Sequence, residues 1–458
     1  MQLKQAFTPP QRSDDEDARS TGIDNNPRLI HFRHPAYPDT EPDLLCLSAL
    51  DGGDGIDYDL ALTCCCIITG NTFATGWLAT RVSSGDGDGD GDGDGPLFHR
   101  VGRPGDGILR HRHRQYHFCI GAHDPTTCKY FLYPRYPVVP SFDHWRFPHG
   151  HLPSPWKDLR LDSYATHPDA HFKSKVAALA RDGTCRISGY CDAVEAAHLV
   201  PLADGHWFRS NSMERYCSLP ADPHPINDER NLVILRGDLH HLLDTRRFTF
   251  VAKPVSTPPL LAAAAPPASS SSPAAPTSTV QLALHVMLPS RSDQLPGLYH
   301  NRALQQPVRG LAVEFLFARF AWTLFTDENM PFLNGFAKHA VLLFDPSEGR
   351  VDEETLRSAE VRRHAKLFES YSCSRSVSLR KRPRSSQPPS SQPRPPPQTD
   401  AEAFETGSCG VPPFDLGMST DDDGEDWDAG DCDGGSEEQW VQGTAEEARF
   451  RNPRAGRL

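Results

Sequence analysis

The chain has 458 residues, of which 38% are hydrophobic and 42 are proline, so we expect two or three domains and long stretches that do not pack. No apolar run approaches the roughly 18 residues that span a bilayer, and residues 1–20 lack the apolar core of a secretory signal. We therefore expect neither a membrane protein nor a secreted one, but an intracellular chain with reduced cysteines.

The net charge of −13 comes from two segments rather than from the whole chain. Residues 401–448 hold fifteen Asp and Glu and no Lys or Arg, and without them the net charge is +2. Without the five aspartates of residues 85–95 as well, the net charge is +7. The part of the chain that is expected to fold is thus mildly basic, which permits a nucleic-acid partner.

The N-terminal third is predicted to contain a disordered arm and one small domain. Residues 1–25 are polar and charged, whereas residues 26–160 carry short apolar segments typical of a mixed domain of strands and one helix. The Gly-Asp repeat at 85–95 interrupts this domain. Calcium-binding repeats also contain a large apolar residue, which is missing here, so we interpret the repeat as a flexible loop.

Residues 169–345 are predicted to form a second domain. A helix over 169–182 precedes an apolar segment that ends at His198, in which a Ser-Gly turn separates two pieces of strand character. The Pro/Ala/Ser tract at 254–279 has no periodicity, which indicates a surface insertion. Residues 310–325 are apolar on nearly all sides and predict a buried helix.

Residues 346–458 are expected to be mostly disordered. They are basic and Pro/Ser-rich at first and acidic towards the end. The cluster RKRPR at Arg380–Arg384 resembles a short nuclear-import signal, so we include a nuclear location in the intracellular expectation. The acidic segment is expected either to solvate the chain or to bind a protein partner.

Four polar residues follow one another in a pattern that joins two predicted strands and a helix. His198 ends the apolar part of EAAHLVP, and Asn231 begins the apolar run NLVIL. His240 and Asp244 lie four residues apart on a helix predicted over 236–244, so they share one helix face. A single histidine at a strand end is more often a buried, hydrogen-bonded residue, but the combination favours a catalytic or metal-binding site.

This combination resembles the HNH endonuclease family, and its fungal branch in particular, over residues 169–333. The similarity rests on CRISGYCDAVEAAHLVP, on a stretch from Trp207-Phe208 to Tyr216, on NLVILRGDLHHLLD, and on the later LYHNR and EFLFARFAWTLF segments. The expected fold of the chain is therefore α+β. It would combine a ββα-metal (HNH) finger with flanking helices, a mixed N-terminal domain and a disordered C-terminal tail.

The resemblance also implies a role for each residue of the pattern. His198 would be the general base of phosphodiester hydrolysis, and His240 would be a ligand of one divalent metal ion, Mg, Mn or Zn. Asn231 would fix the loop that holds the base or would contact the metal. Asp244 would be either a second metal ligand or the acceptor that holds the other ring nitrogen of His240.

One departure from the family leaves two functions open. Many relatives have a metal-binding acid directly before the first histidine, whereas this chain has Ala197. Glu195 lies two residues back, roughly 6–7 Å away along a strand. The first hypothesis is a metal-dependent endonuclease acting on nucleic acid, with DNA ahead of RNA as substrate. The second is an inactive HNH-fold module that binds DNA or protein.

Three arginines near the predicted helix are candidates for phosphate contacts: Arg236, Arg246 and Arg247. Residues 185–254 hold eight basic and nine acidic residues, so the segment has no general basic stripe. Three cysteines surround the same segment, but their spacing does not match that of zinc ligands. This favours free thiols over a zinc staple at Cys185, Cys191 and Cys217.

Overall fold

The computed structural model describes residues 29–82, 98–111, 115–122, 135–164, 174–220, 222–255, 279–288 and 294–371. The predicted arm, the Gly-Asp repeat and the chain from residue 372 lie outside these ranges, as do the import-like cluster and the acidic segment. The described residues belong to one compact unit, Met1–Ser378. Among the described helices, none combines the length and apolar character that a membrane crossing requires.

The N-terminal half of the described chain consists of short strands and one helix: β1 (Leu29–Arg33), β2 (Leu45–Ser48), β3 (Gly55–Asp57), α1 (Tyr58–Ile68), β4 (Gly76–Arg81), β5 (Phe98–Arg100), β6 (Ile108–Arg110) and β7 (Gln115–Ile120). Five of the strands form a mixed sheet in the order β2-β1-β7-β4-β5, with β1 and β7 parallel. Helix α1 begins after Asp57, whose carboxylate accepts a hydrogen bond from the backbone N–H of Leu60 at 2.9 Å. This bond satisfies one of the free donors of the first turn.

The second half contains three antiparallel strand pairs and most of the helices: α2 (Ser174–Asp182), β8 (Val194–His198), α3 (Gly205–Ser210), β9 (Leu232–Arg236), α4 (Gly237–Asp244), β10 (Phe248–Val255), β11 (Thr279–Val286), α5 (Gln294–Tyr299), α6 (Val313–Leu324), β12 (Lys338–Asp345), β13 (Arg350–Arg357) and α7 (Ser358–Tyr371). The pairs are β8–β9, β10–β11 and β12–β13. The two strands and the helix predicted between His198 and Asp244 are present, with α3 between the two strands.

Helix α6 lies at the centre of the core, as its apolar sequence predicts. Every residue from Phe315 to Leu324 is buried. The ring of Phe317 lies 5.2 Å from that of Trp156, and the ring of Phe315 lies 5.5 Å from that of Phe208. Burial of each phenylalanine side chain contributes about 1.5–3 kcal/mol, so α6 is a main source of stability for the elements around it.

The two predicted domains share one core. A single hydrophobic cluster extends from Ile30 in β1 to Val361 in α7. Val138 also donates a backbone hydrogen bond to Ala340 in β12 at 2.9 Å, and Leu342 donates one to Val138 at 3.0 Å. The predicted boundary between residues 160 and 169 is therefore not a boundary of packing. Local composition cannot reveal contacts between segments so far apart in the sequence.

Two local expectations differ from the structure. The piece of strand predicted before the Ser-Gly turn is itself a turn, because Gly189 donates to Cys185 at 2.8 Å and has a φ of 75°. Residues 346–371, which were predicted to be mostly disordered, include regular structure, since β13 pairs with β12 along its whole length and α7 runs to Tyr371. The charged sequence of β13 did not predict a strand, because an exposed edge strand is held by backbone hydrogen bonds rather than by apolar side chains.

Two further predicted segments lie partly outside the described residues. The helix predicted over 169–182 is present from Ser174, and residues 165–173 are outside the described ranges. The tract predicted as an insertion at 254–279 joins β10 to β11, whose pairing extends to Val255 and Thr279. Residues 256–278 between them are not described.

Candidate functional site

The antiparallel pair β8–β9 brings His198 beside the start of β9. His198 is paired in register with Leu232, the residue directly after Asn231. Helix α4 follows β9 without a loop, and its first residue lies against β8. A Cβ on Gly237 would lie 3.1 Å from Oε1 of Glu195, so this close approach favours glycine at the start of the helix.

Asn231 cross-links the segments on both sides of the site. Its side chain is fully buried, and its Oδ1 accepts from the backbone N–H of Val200 at 2.8 Å. Its Nδ2 donates to the carbonyls of Val200 at 3.1 Å and Ile226 at 2.8 Å. The amide therefore connects the loop that follows His198 to the carbonyl of Ile226, and the role predicted for Asn231 stays a prediction.

His198 is half-buried, with one ring nitrogen held by a side chain that the sequence analysis did not identify. Its Nε2–H donates to Oδ1 of Asn227 at 3.1 Å. Its Nδ1 has no hydrogen-bond partner among the described residues. Burial lowers the pKa of His198, and the nearby charges of Lys175 and His240 act in the same direction. A neutral imidazole with a free Nδ1 lone pair is the form that can accept a proton.

His240 is held between two carboxylates. Its Nδ1 lies 2.7 Å from Oε2 of Glu195, and its Nε2 lies 3.2 Å from Oδ2 of Asp244. The hydrogen bond with Asp244, followed by that with Glu195, raises the pKa of His240 against the opposing effect of burial. The helical spacing of His240 and Asp244 therefore does bring the two side chains together, as predicted.

Glu195 reaches the site whereas Ala197 does not. Ala197 is fully buried in the main core cluster, so the position that carries an acid in many relatives is part of the core here. Glu195 lies two residues back on the same strand and contacts the ring of His240 directly. The Glu195 carboxylate reaches the site although it lies two residues before Ala197, because α4 begins beside Glu195.

Arg319 contributes a buried positive charge from α6. Its guanidinium is fully buried and packs 4.3 Å from the ring of Trp322. One terminal nitrogen lies 3.4 Å from Oδ1 of Asp244, and the other donates to the carbonyls of His198 and Leu199 at 3.4 and 3.3 Å. Burial lowers the pKa of Arg319 to about 10, even with Asp244 beside it. The sequence analysis did not identify Arg319, although a single arginine in an otherwise apolar helix is the feature that could have drawn attention to it.

The residues present fit one divalent metal ion with two protein ligands. The 3.2 Å between Nε2 of His240 and Oδ2 of Asp244 lies between the separations of about 3.0 and 3.4 Å that two ligands have on octahedral and tetrahedral ions. Glu195 on Nδ1 supplies the outer carboxylate that commonly orients a metal-binding histidine. Within the described ranges, groups of three ligand atoms occur elsewhere, at His31, Asp43 and Cys46, and at Asp51, His285 and His300.

Arg236 keeps a partial exposure that suits a phosphate contact, although it is already paired. Its guanidinium makes two hydrogen bonds to Asp238, at 2.6 and 2.7 Å, and lies 5.0 Å from the ring of Tyr190. The Asp238 carboxylate raises the pKa of the guanidinium further above its ordinary range. A phosphate would have to compete with Asp238 for this side chain.

Arg246 and Arg247 are engaged within the protein. The guanidinium of Arg246 lies 3.8 Å from the ring of Trp322 and donates to the carbonyl of Phe325. Burial lowers the pKa of Arg246. Arg247 donates through Nε to the carbonyl of Leu288 at 2.8 Å, and one of its terminal nitrogens is buried without a partner among the described residues. The phosphate contacts predicted for these two residues stay a prediction that their internal contacts do not favour.

A groove of about 430 Å³ opens beside His240 and Glu195. Its far wall is α2, where Val176 and Leu179 are each 44% exposed, and Lys175 stands at its edge. The floor is formed by β8 and β9, through residues such as Ala196 and Ile234. The groove therefore combines an apolar wall, one basic side chain and the polar residues of the site.

The comparisons with known proteins identify part of this region. Residues 185–251 match the family model described as HNH endonuclease, a range that includes His198, Asn231, His240 and Asp244. Arg319 lies beyond the matched range. No curated protein and no solved structure gives a significant match. The chain therefore carries an HNH endonuclease domain at residues 185–251.

Proposed function

We propose that the protein is an endonuclease that hydrolyses phosphodiester bonds with one divalent metal ion and a histidine base. The observation that carries this proposal is the arrangement of His240, whose Nδ1 meets Glu195 while its Nε2 faces Asp244. A metal-binding histidine commonly donates one ring N–H to a carboxylate that orients it. Its other ring nitrogen then binds the ion, here beside a second carboxylate. His198 lies close enough to His240 and Asp244 for the charges of these two residues to affect its pKa.

His198 is the proposed general base. Asn227 holds the Nε2–H, so the lone pair on Nδ1 is available to take a proton from the attacking water. Burial keeps the imidazole neutral near pH 7. Asn231 is a positioning residue, because its three hydrogen bonds fix both the loop after His198 and the carbonyl of Ile226, the residue next to Asn227.

His240 and Asp244 are the proposed ligands of Mg²⁺, Mn²⁺ or Zn²⁺, and Glu195 is the residue that orients His240. When bound, such an ion supplies positive charge for the scissile phosphate and for the oxygen that leaves. Arg319 holds the second oxygen of Asp244, so the carboxylate presents Oδ2 towards His240. Of the two roles left open for Asp244, that of ligand is supported better, because Glu195 already occupies the other nitrogen of His240.

The groove between α2 and the strand pair is the proposed path of the nucleic acid, with DNA as the first substrate to test. Lys175 at its edge is the basic side chain best placed to meet a phosphate. The exposed apolar side chains of Val176 and Leu179 would lie against sugars or bases. Tertiary structure was needed to find this surface, because Lys175 stands outside every motif in the sequence.

A second candidate function is an inactive module that binds nucleic acid or protein. Two observations favour it: Ala197 is buried where many relatives carry a third ligand, and Arg319 already neutralises part of the charge of Asp244. With two protein ligands, the affinity for a metal ion would be lower than in those relatives.

The deciding experiment is cleavage of supercoiled plasmid by the full chain, with Mg²⁺, Mn²⁺ or Zn²⁺ and with a chelator. We expect metal-dependent nicking that is lost in His198→Ala and His240→Ala. The matched control is His241→Ala, because His241 is exposed on the same helix and is the residue next to His240. Equal nicking by all variants, or no cleavage of DNA or RNA by the wild type, would leave the binding module as the better account.

A further inference from the structure

A second cluster of metal-ligating side chains lies on the N-terminal sheet, apart from the HNH domain. His31 in β1 and Cys46 in β2 are cross-strand partners, so their side chains share one face of the sheet. Asp43 lies three residues before Cys46. Three atoms converge there: Nδ1 of His31 lies 2.7 Å from Oδ2 of Asp43 and 3.5 Å from Sγ of Cys46, which is 3.8 Å from the same Oδ2.

These separations can be compared with those around a tetrahedral zinc ion. Bonds of about 2.3 Å to sulfur, 2.0–2.1 Å to nitrogen and 2.0–2.2 Å to oxygen place the ligand atoms about 3.4–3.6 Å apart. The two distances to sulfur, 3.5 and 3.8 Å, are already close to this range. The third, between His31 and Asp43, is a 2.7 Å hydrogen bond that would widen by less than about 1 Å when an ion replaces its proton.

The surroundings leave the cluster open to an ion. The side chains of His31 and Asp43 are 35% and 20% exposed, so one side of the triangle faces solvent. The guanidinium of Arg33 lies 3.8 Å from Oδ1 of Asp43, the oxygen that does not face Cys46. Arg33 also donates to the carbonyl of Glu41, so its contact with Asp43 holds the carboxylate with Oδ2 turned inward.

The other three-residue group is less suited to a metal ion. Oδ1 of Asp51 already accepts hydrogen bonds from Nζ of Lys253 at 2.9 Å, from Nδ2 of Asn301 at 2.6 Å and from His300 at 2.9 Å. The lysine ammonium supplies the positive charge there, and a divalent ion would have to displace it. Beside His31, Asp43 and Cys46 the cation is Arg33, which lies 3.8 Å from Oδ1 of Asp43 and leaves Oδ2 facing His31 and Cys46.

We propose that His31, Asp43 and Cys46 bind a zinc ion, with solvent completing the tetrahedral shell. A thiolate and an imidazole together favour zinc over magnesium or calcium. Binding forms a zinc–sulfur bond and releases the thiol proton to solvent. Because β2 is an edge strand of the five-stranded sheet, the ion would fasten this edge to β1.

Cobalt is the probe that separates this site from the HNH domain. Co²⁺ bound to a thiolate gives an intense near-ultraviolet charge-transfer band, and the proposed ligands His240 and Asp244 contain no sulfur. We titrate the reduced full chain with Co²⁺ and then displace it with Zn²⁺. The expected result is a thiolate band that saturates at one ion, persists in His240→Ala and disappears in Cys46→Ser.

The control for adventitious thiol binding is Cys191→Ser, because Cys191 is an exposed free cysteine. It should leave the band unchanged, whereas Asp43→Asn should weaken cobalt binding about tenfold or more. Zinc should also raise the melting temperature of His240→Ala, which lacks a proposed ligand of the HNH site, and adding Cys46→Ser to that variant should abolish the rise. Absence of the band in the wild type, or its persistence in Cys46→Ser, would overturn the proposal whatever the outcome for nuclease activity.

Discussion

The contact between Arg319 and Asp244 allows the structural role of Asp244 to be separated from its proposed role as a ligand. Arg319 is fully buried, and Asp244 is the carboxylate that it contacts at 3.4 Å. Asp244→Asn removes the negative charge while keeping the size of the side chain. We expect this variant to be less stable than the wild type, because the buried guanidinium loses its counter-charge.

The magnitude follows from burial and exposure. A fall in the pKa of Arg319 from 12.5 to about 10 corresponds to a net cost of about 3 kcal/mol for its charge in the folded state. The Coulomb attraction at 3.4 Å is about 5 kcal/mol at an effective dielectric constant of 20. Because the Asp244 side chain is 52% exposed, solvent reduces this attraction, and we expect Asp244→Asn to cost about 1–2 kcal/mol.

A double-mutant cycle measures this coupling by urea unfolding in the presence of a chelator. Arg319→Met should change the free energy of unfolding by less than about 1 kcal/mol, because it removes a buried charge together with its desolvation cost. In that background Asp244→Asn should cost less than about 0.5 kcal/mol. Glu195→Gln is the control, since Glu195 contacts His240 but has no contact with Arg319 among the described ones. Additive costs of the two substitutions would refute the reasoning.

Three further predictions concern the same region. Asn231→Ala should lower the free energy of unfolding by about 3 kcal/mol, because two buried backbone groups of Val200 and the part-buried carbonyl of Ile226 lose their partner; a urea-measured loss below about 1 kcal/mol would contradict this. Burial, then Asp143, raises the pKa of Asp204 from 3.8 to about 6, so the folded chain binds this proton more tightly and stability falls as pH rises from about 4 to 6. Asp204→Asn should remove that fall and stabilise the protein at pH 7.5 by on the order of 1–3 kcal/mol, measured against the wild type across pH. In His198→Ala, Mg²⁺ should tighten DNA binding in a filter-binding assay, and the additional change His240→Ala should abolish the effect.

The sequence allowed prediction of those parts of the site that depend on local spacing. Helical periodicity placed His240 and Asp244 on one face, and the motif placed His198 and Asn231 at the ends of two strands. Asn227 could not be found in the same way, because its contact with His198 depends on how a loop folds back. Arg319 lies on a helix far along the chain, and a single arginine in an apolar run does not reveal its partner.

The limits of the fold prediction have the same origin. Apolar patterns located α6 and the β8–β9 pair, because each is defined by residues close together in the sequence. The shared core was missed because it depends on contacts such as that between Val138 and β12. The strand β13 was missed because most of its exposed side chains are polar, while its residues pair with β12 along its whole length.

The balance of charge at the site favours a metal-dependent enzyme over a module that only binds nucleic acid. Glu195 and Asp244 have side chains that are 59% and 52% exposed, and both turn towards His240, whereas the positive charge of Arg319 is buried. A phosphate that approaches this face meets two carboxylates, and like charges repel. The same carboxylates raise the pKa of His240, so the site attracts positive charge. A surface that only binds a polyanion would bind it more tightly without Glu195 and Asp244. A site that binds a cation before it binds a phosphate requires these acids.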